Sequence, residues 1–393
     1  MKKLSGREII RRVYHTLPTV LKERVERSAW RFGGRIDLLT GEPCFDAPEE
    51  AKRAAKEAMS KRLPYTSPDG LIELREVVAE RIKRDQNLTY DPKEEVTITY
   101  GATEALSAVL FAFIKPGDEV LLSDPSYFMH ERQILTAGGK PVRFPLREEE
   151  EFKFVPEDIE PLITSRTKLL LINSPHNPTG AVLAKNDVRR IADLSMENDL
   201  LVVWDEVYDK IVYNSAKHFT TAAIPEMRKH SIMINSFSKN YAMTGWRVGY
   251  VYADVELMRR IRDVHRNIVF SMNTAPQVGA IAVLRKAQNF VSGAIHEYDK
   301  RRRLLVRGLN EIEGVRCAMP KGTIFAFPNV SSLKLSSVEL AKYLSEKANI
   351  AVSPGIKFGP RGEGHLRLSF GYADGGMLKE ALSRMEESFE SFR

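Results

Sequence analysis

The chain has 393 residues, 43% of them hydrophobic, which is enough to build one large domain and a smaller partner. Two cysteines, Cys44 and Cys317, exclude a disulfide framework, and no Cys/His spacing fits a structural zinc. The net charge of +7 is spread through mixed runs such as Arg81 to Asp85 and Glu148 to Glu151, a solvated surface with local anion sites rather than a nucleic-acid track. The longest apolar run, about Ala108 to Ile114, is too short to span a bilayer. The basic start (Lys2, Lys3, Arg7, Arg11, Arg12) lacks the apolar stretch of a secretory signal and reads as an amphipathic arm or helix. These features point to a reducing, cytoplasmic setting without membrane or nucleic-acid partners.

After the arm, Arg35 to Leu39 reads as a short strand ending in the turn Thr40-Gly-Glu-Pro. Pro48 starts a helix to about Lys61, Pro64 to Gly70 is a loop, and a second helix runs to about Arg84. Strands and helices then alternate. The strands are Glu95–Thr99, Glu119–Ser123, Lys168–Asn173, Leu201–Asp205, Ser231–Asn235 and Gly249–Tyr252. Helices fall at Thr103 to Ile114, after Tyr127, and at about Lys185 to Asn198. The strands are near-continuous apolar runs, which means burial on both faces and a mostly parallel sheet covered by helices. From Thr274 a long helical pattern reaches Ile312, suited to bridging two lobes, with the basic run Lys300 to Arg303 on its solvated face. The last third reads as a small α+β domain, with strands near Ile324–Phe327, Ile350–Val352 and His365–Ser369.

In an open parallel sheet, ligands sit at the carboxyl ends of the strands. Four ends carry chemistry here. Tyr100-Gly-Ala-Thr-Glu opens a helix, where Gly101 permits close backbone approach and free N–H groups favour an anion. Ser174-Pro-His-Asn-Pro-Thr-Gly is a stiff loop presenting Asn177. Asp205 follows Val-Val-Trp, and a buried carboxylate there requires a cationic partner, although an ordinary helix cap would also explain it. Lys239 lies beyond the exit of a buried strand, eight positions before Arg247. A partly desolvated amine can form a Schiff base with an aldehyde, and a fixed guanidinium can hold a phosphate. Together they suggest pyridoxal 5'-phosphate (PLP), against the plain alternative of a solvated loop lysine. Neither Gly-x-Gly-x-x-Gly after the first strand nor Gly-x-x-x-x-Gly-Lys-Ser/Thr is present, so nucleotide binding is unsupported.

These pieces resemble class I (class I/II) PLP-dependent aminotransferases of fold type I that act on aspartate, aromatic amino acids or alanine. The matches are Gly41-Glu-Pro, Tyr65 with Pro68-Asp-Gly-Leu, Gly101-Ala-Thr-Glu-Ala, Asp124-Pro-Ser-Tyr, Asn177-Pro-Thr-Gly, Asp205-Glu-Val-Tyr, Ser236 to Arg247, and Arg367-Leu-Ser-Phe. They occur in family order and cover nearly the whole chain. The resemblance implies an α/β fold: a large domain (46–284) with a mostly parallel seven-stranded sheet covered by helices, and a small α+β domain. The small domain would take residues 285–393 with a long interdomain helix, joined by part of the N-terminal arm (1–45).

The resemblance also implies roles. Lys239 would be the Schiff-base lysine and proton shuttle, and Asp205 would keep the pyridine nitrogen protonated. Tyr208 and Asn177 would hydrogen-bond the ring oxygen, and Tyr127 would stack on the ring. Gly101, Ala102, Thr103, Ser236, Ser238 and Arg247 would surround the phosphate, with Tyr65 reaching over from the second subunit of a homodimer. Arg367 would clamp the substrate carboxylate, helped by Asn177 and the backbone of Gly41. Asp124-Pro125 and Asn177-Pro178 are candidate cis peptides. The implied reaction is transfer of an amino group from an L-amino acid to a 2-oxo acid, 2-oxoglutarate, by a ping-pong route. A β-lyase on the same fold and a non-catalytic regulator are the alternatives. The chain departs from the family pattern in three places. Ser174 and His176 stand where asparagines are usual, and His176 reads as a loop residue. Thr103 stands where some aspartate-specific relatives carry a lysine. Thr323-Ile-Phe replaces a small-Phe-Tyr run, which leaves the side-chain pocket open.

Overall fold

The computed structural model describes residues 35–390 and 392, so the N-terminal arm reading lies outside the described residues. Strands β1 to β12 are Ile36–Asp37, Val96–Thr99, Glu119–Asp124, Lys140–Pro145, Thr167–Asn173, Leu201–Asp205, Ser231–Ser236, Gly249–Ala253, Phe325–Ala326, Ile350–Ala351, Ser353–Pro354 and Leu366–Ser369. Helices are numbered here α1 to α11: Glu49–Met59, Ile72–Gln86, Gly101–Phe113, Phe128–Thr136, Lys185–Glu197, Phe237–Asn240, Val255–Ile268, Thr274–Lys286, Gln288–Glu311, Ser337–Lys347 and Gly375–Glu390.

Seven strands form one sheet in the order β2-β8-β7-β6-β5-β3-β4. Only β8 runs against its neighbours β2 and β7, and the other pairings are parallel. The carboxyl ends of β2, β3, β5, β6 and β7 therefore open on one edge, where β8 begins. β2, β3, β7 and β8 are buried along their whole length, as continuous apolar runs require. The sequence reading located six of the seven strands. The seventh, β4, lies at the sheet edge, where its exposed Lys140 and Arg143 and its Pro141 and Pro145 are tolerated. That composition hides an edge strand from an apolar-run search.

One face of the sheet packs on α3 and α7 through Leu106, Val109, Met258 and Ile261. The opposite face packs on α1, α2, α5 and α8 through Ala51, Val77, Ile191 and Val283. A separate cluster unites β1, α9, β9, α10, β12 and α11 through Ile36, Leu305, Phe325, Leu344, Leu368 and Met385. There β11, β12 and β9 form an antiparallel sheet, and β1 pairs with β10 in parallel.

Two sequence expectations need correction. The long helical run from Thr274 is two helices, α8 and α9, broken at Ala287 (φ −107°, ψ 36°). The run Lys300 to Arg303 is solvated only at its ends, because Arg301 and Arg302 are buried. Arg302 Nη1 donates to the Pro320 carbonyl (2.6 Å) and lies over the Tyr213 ring, while Arg301 Nη1 meets Cys44 Sγ (3.0 Å). Arginine's long stem and fixed fork let such residues sit inside when carbonyls and rings receive the head. The peptides Asp124-Pro125 and Asn177-Pro178 are cis, as is Ser174-Pro175. Among the described residues no helix is long and apolar enough to cross a membrane.

Candidate active site

β7 ends at Ser236, whose hydroxyl accepts from the Ser238 amide (3.3 Å) and so caps the single turn α6. Lys239 rides on that turn. Its Nζ donates to the Gly41 carbonyl (2.6 Å) and lies 6.0 Å from the Tyr208 ring centroid. Burial pushes the Lys239 ammonium down to about 8, against the pull of Glu42, and the Arg367 and Arg247 cations push the same way as burial.

Asp205 closes β6 and is buried. Its Oδ1 accepts from the Val207 amide (3.2 Å) in the following turn, and its Oδ2 meets His130 Nε2 (2.9 Å). His130 is thus a hydrogen-bond partner of this buried carboxylate, and the sequence reading missed it. The only signal was its place three residues after Tyr127 at the start of α4, since Asp205 is 75 positions away. Asn173 was missed for the same reason. Its Nδ2 donates to the Asp205 carbonyl (3.0 Å) and its Oδ1 accepts from the Asn177 amide (2.8 Å), tying β5, β6 and the 174–180 loop together.

Asn177 Oδ1 accepts from Arg367 Nη1 (3.2 Å), so the loop after β5 meets β12. Arg367 is buried, donates from Nη2 to the Leu39 carbonyl (2.9 Å), and lies over the rings of Phe325 (4.2 Å) and Phe358 (4.9 Å). Tyr208 is buried near Phe325, and burial pushes its phenol well above the ordinary range, with Arg367 opposing. Tyr127 packs edge-on to Phe128 and His130. His176 is buried between Thr179 Oγ1 (2.8 Å) and Ser123 Oγ (3.2 Å), and burial pushes it down to about 3, which suits a loop brace.

The anion side forms where β2 turns into α3. Tyr100 gives no side-chain cap, so the first amides of α3, at Gly101, Ala102 and Thr103, lack an intrahelical acceptor. Gly101 takes φ +77°, and a Cβ there would come 2.3 Å from Arg247 Nη2. Arg247, exposed, is anchored by its Nη1 to the Thr244 carbonyl (2.8 Å) and by its Nη2 to the Tyr100 carbonyl (3.3 Å). Gly249 is equally crowded, with Gly101 and the Asn235 carbonyl 2.8 Å from where a Cβ would stand. Tyr65 stands apart from these contacts: it is 83% exposed and packs edge-on to Phe270, itself exposed.

This donor set fits PLP. An uncapped helix start beside a guanidinium and two serines suits a phosphate, a buried carboxylate suits a pyridinium nitrogen, and an amine with a depressed pKa suits an aldehyde.

The family model for "Aminotransferase class I and II" matches residues 34–385. The aspartate aminotransferase of Pyrococcus abyssi is 39% identical over 355 residues, covering 90% of this chain and 91% of that one. The aromatic-amino-acid aminotransferase 2 of Thermococcus litoralis is 39% identical over 357 residues with the same coverage. Among solved structures, the aromatic aminotransferase of Pyrococcus horikoshii superposes with a TM-score of 0.89 at 38% identity, covering 91% of this chain and 96% of that one. The aspartate aminotransferase of Thermus thermophilus with maleate gives 0.89 at 33%, covering 99% and 100%. The chain belongs to the class I and II aminotransferases, PLP-dependent enzymes of fold type I.

Proposed function

We propose that the protein moves an amino group from an L-amino acid of aspartate, aromatic or alanine type to a 2-oxo acid, 2-oxoglutarate, in a ping-pong cycle. The observation that carries this reading is Arg367, buried between two aromatic rings and touching Asn177. A buried guanidinium of that kind suits a substrate carboxylate, gripped bidentately. The named relatives act on aspartate and on aromatic amino acids, which supports both donor classes.

Bound PLP supplies an aldehyde for an amine and a ring that withdraws electrons. The chain's residues do the rest. Lys239 Nζ, once unprotonated, would be the base that takes the proton from the substrate α-carbon. The Asp205 carboxylate would balance the ring nitrogen's positive charge, with His130 Nε2 on its Oδ2 holding it in place. Tyr208 and Asn177 would hold the ring oxygen, and Tyr127 would cover the ring. Ser236, Ser238, Arg247 and the α3 start at Gly101, Ala102 and Thr103 would hold the phosphate. Gly41 and Arg367 hold the substrate. The exposed Tyr65 completes the neighbouring site in a homodimer, which gives an exposed aromatic a function. Residues 46–284 form the large domain, and 285–393 with part of 1–45 form the small one. The protein works in the cytoplasm.

The test is the visible spectrum of the PLP-loaded protein during addition of single amino acids. Donors should bleach the cofactor band and 2-oxoglutarate should restore it. A band that no amino acid changes would overturn the reading, and release of ammonia and pyruvate without a 2-oxo acid would replace it with a β-lyase.

A further inference from the structure

Behind the site lies a buried polar group that the chemistry above does not use. The residues following Tyr208 and Lys239 are Asp209 and Asn240, and these two hydrogen-bond each other: Asn240 Nδ2 donates to Asp209 Oδ1 at 2.6 Å. Asp209 Oδ2 accepts from Arg81 Nη2 at 2.6 Å, and Arg81, on α2, also meets the Tyr250 hydroxyl and, through Nε, Asp85 (3.4 Å). Asp209, Asn240 and Arg81 are 5%, 2% and 3% exposed.

The helix that carries Lys239 is a single turn of four residues. One turn fixes several dihedrals for one hydrogen bond and does not hold itself. It is held at its start by the Ser236 cap and at its end by the Asn240 amide. Asp209 is fixed in turn by its own amide, which donates to the Glu206 carbonyl (2.9 Å), and by the Arg81 cation. The span from Asp205 to Tyr208 and the turn of Lys239 are thereby bolted to each other from beneath.

We propose that Asp209 and Asn240 are positioning residues that hold the Lys239 amine opposite Tyr208, with Arg81 as the anchor of the pair. The proposal rests on the reading of Lys239 as the cofactor-binding lysine. A buried carboxylate between one amide and one guanidinium has a fixed direction, because each oxygen has a strong partner on a different element. A purely structural pair would serve stability equally well without lying next in sequence to both groups that face the cofactor.

The experiment uses Asn240→Ala and the paired change Arg81→Met with Asp209→Leu, which removes a buried ion pair together with its charge and keeps the volume filled. The pH titration of the bound cofactor's visible band should shift by about half a unit or more in both. Labelling of Lys239 by an amine-reactive reagent in the cofactor-free protein should change its pH midpoint in the same direction. The rate of band bleaching by a good donor should fall about tenfold, with the donor concentration for half-saturation within about twofold of wild type, since Arg367 is untouched. Asn240→Ser serves in place of Asn240→Ala if the latter does not accumulate. A folded Asn240 variant with the wild-type titration, labelling midpoint and bleaching rate overturns the proposal. A wild-type protein that forms no visible band with PLP overturns instead the assignment of Lys239.

Discussion

Lys239 can act on an aldehyde only after losing its proton, and burial brings that loss from 10.5 to about 8. The rate at which cofactor-free protein takes up PLP should therefore rise through about pH 8 and level off above it, as read by the growth of the visible band. The folded value lies below the unfolded one, so between the two the unfolded chain holds more protons. Stability of the cofactor-free protein should then increase as pH climbs from about 8 toward 10.5, measured by denaturant midpoints. A midpoint of uptake near 10.5 would show the amine to be ordinarily solvated. His130 acts through Asp205, and a hydrogen bond to a charged group contributes about 1.5–3 kcal/mol. His130→Ala should lower turnover about 10- to 100-fold. Turnover within twofold of wild type would show that Asp205 needs no partner. Lys239, Asp205 and Asn177 could be singled out in the sequence because Asp205 ends an apolar strand and the other two lie in the short segments just beyond one. His130 and Asn173 were not, because their meaning depends on partners brought together by the sheet.

The proposed anion site is a property of an element, the start of α3, and of the backbone that lets Arg247 lie against it. Gly101→Ala would place a Cβ in a left-handed conformation and against Arg247 Nη2. The strain should cost about 1–3 kcal/mol of stability. The displaced guanidinium should also weaken PLP retention at least about tenfold, a loss comparable to one charge-assisted hydrogen bond. Thermal unfolding and dialysis against PLP would check both, and unchanged retention would place the phosphate elsewhere. At this scale the buried parallel strands were legible from their apolar runs. The edge strand β4 was not, since exposure on one side leaves it charged and proline-bearing. The helix α7, with its Asp254 cap, was also unassigned from sequence.

At the level of the whole molecule, Tyr65 and Phe270 stand exposed beside each other, an arrangement that makes sense if a second copy covers them. If Tyr65 completes the partner's site, then Tyr65→Ala and Lys239→Ala lie in different subunits of the same site. Mixing the two inactive proteins after reversible dissociation should restore activity at about one site in four, because a mixed dimer keeps one site intact. Absence of any recovery, with subunit exchange verified by mass, would place Tyr65 in the site of its own subunit rather than the partner's.

The interruption at Ala287 has a mechanical meaning. α8 is packed on α1 and α2, and α9 starts on the same cluster through Phe290 and Val291 before entering the one that contains β9 and β12, the strand of Arg367. With 24 residues, α9 is a rod about 36 Å long. A rotation of about 10° at the joint would swing its far tip about 6 Å while α8 stays seated. Any such swing would fall on the side of the site that carries Arg367, since β12 packs in the same cluster as α9.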